Sequence, residues 1–244
     1  MAEFRGSPSD IEGDGRATSA MLARAADDGV ASVSIRTPPR RVVFGRRDTT
    51  RDGYDRARSI ARVNGFEPVE RRVGGRAVAY TGRTLSFAVA LPSAEPRTRI
   101  EPRYETATTA VVEALRATGA DVSSGEPDAT FCPGDHSVRI TGGGKVAGIA
   151  QRVRADAALV AGCVIVSAAD SAAIASVLDR VYRALDLPFD PSSVGSVADA
   201  GGPDDPSRVE RVLEDALLDA PWGDGDADTA DRGQHTRADD VHGW

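Results

Sequence analysis

Residues 137–150 constrain the fold of this chain more than any other stretch. Ser137-Val-Arg-Ile-Thr141 alternates polar with apolar side chains, glycines fill 142–144, and Lys145-Val-Ala-Gly-Ile-Ala150 resumes with small and apolar residues. Period-two alternation broken by a glycine run predicts a β-hairpin. Regular alternation on its second strand would put Lys145, Ala147 and Ile149 on one face, with Gly148 leaving room for close approach to the backbone.

Lys145 is unusual for a further reason. Of the 30 basic residues, every other one is arginine. Arginine supplies surface charge as well as lysine does, but lysine alone offers a compact point charge able to follow a small acyl carbonyl or phosphate. Small residues beside a lone ammonium point to a ligand groove; the competing reading is one lysine surviving by chance in an arginine-biased set. Upstream lies Cys132, followed by Pro133-Gly134, a dipeptide that marks a turn. A thiol on a turn near an ammonium is chemically suggestive.

A chain of 244 residues can bury the core of one domain. The expected organisation is a flexible N-terminal segment (1–16), one catalytic domain (17–222) and an acidic disordered tail (223–244). Abundant Asp, near-absent Lys and a net charge of -7 fit a salt-adapted cytoplasm and argue against nucleic acid as a partner. The cluster Arg36, Arg40, Arg41, Arg46 and Arg47 is read as flanking a strand, since Asp48 and Asp52 follow at once. Two cysteines do not make a disulfide framework, and no apolar run reaches the roughly 20 residues of a membrane span. No signal peptide is recognisable, so a cytoplasmic protein without a membrane partner is expected. No metal site is expected; His235 and His242 fall in the acidic tail.

Along the chain, residues 19–26 read as a short helix, 31–35 and 41–45 as strands, and 53–64 as a helix closed by Asn64-Gly65. Arginines surround the Gly74-Gly75 pair, whose peptide N–H groups suit a carboxylate or phosphate, although such a pair is commonly just a turn. Residues 101–117 form an amphipathic helix. Residues 157–166 make a continuous apolar run, expected as a fully buried strand with Cys163 in the core. A helix over 171–185 opens after Asp170 as N-cap, and another spans 206–218, with 186–205 a flexible or irregular connection. This order predicts an α+β fold with a mixed or antiparallel sheet flanked by helices.

Residues 71–78, Arg-Arg-Val-Gly-Gly-Arg-Ala-Val, then Leu85-Ser-Phe87, then Gly144-Lys-Val-Ala-Gly-Ile-Ala-Gln151 are similar in order and spacing to the catalytic domain shared by lipoate–protein ligases, octanoyltransferases and biotin–protein ligases. The resemblance covers residues 17–185. It implies an acyl pocket lined by Arg71, Arg72, Gly74, Gly75, Arg76, Tyr80, Ala147 and Gly148, with Lys145 reaching the acyl carbonyl. The segment from Phe131 to Val138 resembles octanoyl–protein amidotransferases, in which that cysteine, here Cys132, carries the acyl group as a thioester. A neighbouring ammonium would favour the thiolate, and His136 is either a proton shuttle or structural.

Three functions follow as alternatives. The first is transfer of a lipoyl or octanoyl group through Cys132 to a lysine of lipoyl-domain carriers, namely glycine-cleavage H protein and the E2 subunits of 2-oxoacid dehydrogenases, with no permanently bound cofactor. The second is an ATP- and Mg-dependent lipoate ligase working with a separate accessory chain, since little sequence follows residue 185. Arg76 where those ligases have a third glycine, and Tyr80 where they often have histidine, weigh against it. The third is a non-catalytic lipoate-binding module, disfavoured by the retention of both Cys132 and Lys145. A biotin ligase fits less well, because the Gly-Arg-Gly-Arg type of loop is missing.

Overall fold

A computed structural model describes residues 1–3, 11–71 and 74–223; Arg72 and the tail with His235 and His242 lie outside the described residues. Two sheets organise the chain, and one of them is large. The described elements are β1 (Ala2–Glu3), α1 (Ile11–Asp28), β2 (Ser32–Arg36), β3 (Arg41–Phe44), α2 (Tyr54–Val63), β4 (Glu67–Glu70), β5 (Val78–Tyr80), β6 (Leu85–Pro92), α3 (Ile100–Ala117), β7 (Val122–Ser124), β8 (Ser137–Ile140), β9 (Lys145–Val153), β10 (Ala157–Val164), α4 (Ala168–Ala184) and α5 (Pro206–Asp219). Seven strands pair in the order β1-β2-β6-β10-β9-β8-β7, and three in the order β4-β3-β5. The large sheet is antiparallel except for β1 on β2, while β3 is parallel to β4 and antiparallel to β5. This is the expected α+β architecture.

Alternation along β6 explains how helices cover both faces of the large sheet. Phe87, Val89 and Leu91 enter the main core with Val111 and Leu115 of α3 and Leu213 and Leu217 of α5. Ala88 and Ala90 point the other way, against Met21, Leu22 and Ala25 of α1. The small sheet has its own core, in which Phe44, Phe66 and Val78 meet Ala57 and Ala61 of α2 and Val177, Leu178 and Tyr182 of α4.

Several expectations are corrected. The first helix runs from Ile11 to Asp28, longer than 19–26. Helix α4 begins at Ala168, and its N-cap is Ser167, whose Oγ accepts from Asp170 N at 3.1 Å; Asp170 lies inside the first turn, where the helix dipole favours a carboxylate. The strand over 157–166 ends at Val164, and Ala161, Gly162 and Cys163 are only half-buried. Its apolar composition alone does not reveal that three consecutive residues near its end stay partly exposed. Finally, 186–205 is an irregular but firmly bonded connection. Asp190 N donates to Ala129 O at 2.8 Å, Gly195 N to Lys145 O at 2.9 Å and Val197 N to Ile165 O at 2.9 Å. Glycine, proline and serine here supply backbone shape for packing against the hairpin.

Arg103, fully buried in α3, holds the β6–α3 connection in place. Its Nη1 and Nη2 donate to Pro96 O at 2.9 and 2.7 Å, and the group also reaches Ser93 Oγ at 3.4 Å and Gln151 Oε1 at 3.3 Å. Replacing it by methionine keeps the volume but leaves buried acceptors unmatched. Arg103→Met is therefore expected to lower unfolding free energy by about 1–3 kcal/mol, read from a shifted denaturant midpoint; an unchanged midpoint would show that solvent or neighbouring groups replace the guanidinium.

Candidate active site

Four segments converge around Cys132: the Gly74-Gly75 connection before β5, the turn that carries the cysteine, the start of β9 and the end of β10. Lys145 opens β9 as the hairpin pattern requires, but it does not share a face with Ala147. Strand β8 pairs Val138 with Ala147 and Arg139 with Lys145, so Val146 is an extra residue on β9. Such a bulge breaks the alternation and re-aims the side chains around it. Val146 and Ala147 both enter the main core, Ala147 being only 1% exposed. Lys145 instead lies over Gly148, where a Cβ would meet Lys145 Cε at 3.1 Å. Of the two small residues expected near a ligand, Gly148 stays at the site and Ala147 is a core residue; the local bulge is not visible as a break in the sequence pattern.

The Lys145 side chain is nearly fully enclosed. Its Nζ donates to Cys132 O at 3.1 Å and Phe131 O at 3.3 Å, and sits 3.4 Å from Glu126 Oε2. The Phe131 ring lies 5.2 Å from the ammonium. A buried charge is tolerated only with such partners. The ammonium, expected as a neighbour of the thiol, thus bonds to the carbonyl of the cysteine. From below, the backbone of Lys145 is fixed by a bridge to Val194 and by Gly195 N.

Glu126 is a site residue that the sequence did not single out. Besides Lys145, it accepts from Gly134 N at 2.8 Å and Ser137 Oγ at 2.6 Å. One carboxylate thereby joins the turn that carries Cys132 to the strand that carries Lys145. Its position between Gly125 and Pro127 marks a loop but gives no hint of this role.

Cys132 adopts φ 42°, a left-handed conformation rare for a residue with a side chain. Its Sγ lies 3.4 Å from Arg71 Nη2 and 3.4 Å from the backbone N of Arg76. Both are N–H donors. Arg71 Nη2 also donates to Arg76 O at 2.8 Å, so the guanidinium spans the glycine connection. Gly75 is required at its centre: it has φ 89°, and a Cβ there would lie 2.5 Å from Arg71 Nη2 and 2.9 Å from Cys132 Sγ. Gly74, by contrast, faces open space.

The remaining expected residues divide. Arg76 contributes its backbone N to the sulfur, while its guanidinium turns away to Asp48 Oδ1 at 3.3 Å; Asp48 is fully buried and also accepts from Gly45 N. Tyr80 lies on β5 opposite Arg41, whose guanidinium is 5.2 Å from its ring. His136 stacks on Tyr104 of α3, ring centroids 3.6 Å apart and 9° from parallel. Cys163, expected in the core, pairs with Gly148 across the sheet and is near enough to feel the charge of Lys145. Desolvation by its surroundings pushes its thiol up, and the charge of Lys145 acts in the opposite direction. Among the described residues, no group of three or more His, Cys, Asp or Glu side chains is gathered as a metal site, and no helix is long and apolar enough to cross a membrane.

Residues 20–217 match the lipoyl protein ligase A/B catalytic domain. Over 111 residues the chain is 36% identical to an octanoyl-[GcvH]:protein N-octanoyltransferase of Geobacillus kaustophilus, covering 46% of this chain and 39% of that protein. It is 31% identical over 111 residues to a lipoyl-[GcvH]:protein N-lipoyltransferase of Listeria monocytogenes, covering 46% and 40%. The matches thus span about two-fifths of the length of these relatives. In three dimensions the fold resembles a lipoate-protein ligase A bound with ATP, with a TM-score of 0.69 at 20% identity over 88% of this chain and 83% of that one. With strands β2 to β10, the hairpin lysine and the glycine connection all inside the matched span, the chain belongs to the lipoyl protein ligase A/B catalytic domain family.

Proposed function

We propose that this protein transfers an octanoyl or lipoyl group between lysines of lipoyl-domain carrier proteins, with Cys132 as the intermediate acyl acceptor. The observation that carries this reading is the setting of the Cys132 sulfur, within 3.4 Å of both the Arg71 guanidinium and the Arg76 amide. Two N–H donors thus converge on a sulfur that bears negative charge whenever it acts as nucleophile or leaving group. The names of the two relatives, which give acyl-GcvH and a protein as the two partners, support carrier-to-carrier transfer; E2 subunits are the acceptors we propose.

In the first half-reaction the Cys132 thiolate attacks the acyl carbonyl of the donor lysine amide. A carbon–sulfur bond forms, the carbon–nitrogen bond breaks, and the departing amine takes up one proton. In the second, a neutral acceptor amine attacks the thioester, loses one proton and releases the thiolate. Protons balance over the cycle. Arg71 and the Arg76 N–H, already at the sulfur, are placed to stabilise negative charge on it when the thioester breaks down. Lys145 fixes the Cys132 carbonyl and so the orientation of the nucleophile. Along the β9–β10 floor, Gly148, Cys163 and Ala161 are small, and the acyl chain would lie over them.

Cys132→Ser is expected to lose essentially all transfer, because an unactivated hydroxyl remains protonated at neutral pH. Carrier acylation followed by mass shift tests this, in assays with and without ATP. A serine variant that acylates carriers from ATP and free lipoate would instead support direct ligation.

Lys145→Arg is expected to reduce transfer by at least about 100-fold, since a planar guanidinium cannot occupy the enclosure made by two carbonyls, Glu126 and Gly148. Turnover at matched circular dichroism is the measurement. Near-normal turnover would mean that any cation serves at this position.

A further inference from the structure

We infer that Tyr182 is a positioning residue whose hydroxyl sets the Cys132 sulfur against its backbone donor at Arg76. This rests on Cys132 being the nucleophile and adds the element that aims it. Tyr182 lies on α4 and is 1% exposed. Its oxygen accepts from Cys132 N at 2.7 Å, and its O–H donates to Ala77 O at 3.0 Å. One side chain therefore ties together both partners of a single contact. On one side is the residue that carries the sulfur; on the other is Ala77, the neighbour of Arg76, whose N–H points at that sulfur.

The arrangement answers a local problem. The backbone of Cys132 is left-handed, with φ 42°, a conformation that persists in a residue with a side chain only when the surroundings hold it. Lys145 holds the carbonyl of Cys132, and Tyr182 holds its N–H. Together they fix both peptide groups and hence the direction of the Cα–Cβ bond. Burial pushes the phenol well above its ordinary range, so the group remains an O–H donor to Ala77. The ring itself is packed by Phe189, with centroids 5.0 Å apart.

The roles of hydroxyl and ring can be separated. Four proteins are compared: wild type, Tyr182→Phe, Phe189→Leu and Cys132→Ser. Measured for each are kcat and KM for carrier acylation and the melting temperature, and, for the three that keep the thiol, the rate of Cys132 alkylation by iodoacetamide at one fixed pH. Tyr182→Phe is expected to lower kcat and the alkylation rate by roughly 10-fold or more with KM for the donor unchanged. Phe189→Leu, which loosens the ring but keeps the hydroxyl, should lower the melting temperature while leaving both rates near wild type. In the wild-type protein the Cys132 amide should be protected from hydrogen exchange, a measurement that does not depend on a variant folding.

If Cys132→Ser is inactive yet Tyr182→Phe reacts within about twofold of wild type, the inference fails and the nucleophile stands. Equal losses in Tyr182→Phe and Phe189→Leu, or rapid exchange of the Cys132 amide, would overturn it as well. An active Cys132→Ser enzyme would overturn the nucleophile and, with it, the positioning role.

Discussion

A buried ammonium is the interaction on which the site depends. Taking a lysine out of water costs several kcal/mol unless its protons find partners, and Lys145 finds them in the carbonyls of Phe131 and Cys132 and in Glu126. Those partners all belong to the segment between β7 and β8. Satisfying the charge therefore requires that segment to fold back over the start of β9. The turn bearing Cys132 is placed by the same contacts that make the lysine tolerable. Stability of the charge and geometry of the thiol are one problem with one solution.

The sheets supply the rest. The large sheet delivers Lys145, Gly148 and Cys163 on neighbouring strands, and the bulge at Val146 sets the lysine over Gly148 rather than beside Ala147. From the small sheet comes the Arg71–Gly75–Arg76 segment, which approaches so closely that Gly75 has no room for a side chain. Helix α4 spans the two through Tyr182, bonded to Cys132 on one side and to Ala77 beside β5 on the other. The thiol thus sits at a junction whose parts come from four separate regions of the chain.

Much of this was legible in the sequence. The hairpin announced itself by alternation and glycine, and the lone lysine by contrast with an otherwise all-arginine set. Cys132 and the glycine pair were identifiable by type and by resemblance to a family. Other features were not legible, for physical reasons. A bulge adds one residue without changing composition, so the face of Ala147 was misread. Glu126 and Tyr182 act through contacts between residues 19 and 50 positions apart, which local patterning does not encode. Arg71 adds a second cation, at the sulfur itself, while Lys145 meets the carbonyl; proximity along the chain says nothing about which atom of Cys132 a cation meets. Residues 186–205 looked like a loose connection since glycine, serine and proline carry no periodicity, yet their backbone groups wall the lysine.

The central claim is that acyl groups pass through the Cys132 sulfur. It is tested most directly by intact-protein mass spectrometry of the wild-type chain after brief incubation with octanoylated carrier protein, with no ATP present. The expected result is one octanoyl adduct, removed by hydroxylamine and mapped by peptide digestion to Cys132. Absence of that adduct, together with formation of an acyl-adenylate from ATP and free lipoate, would contradict it.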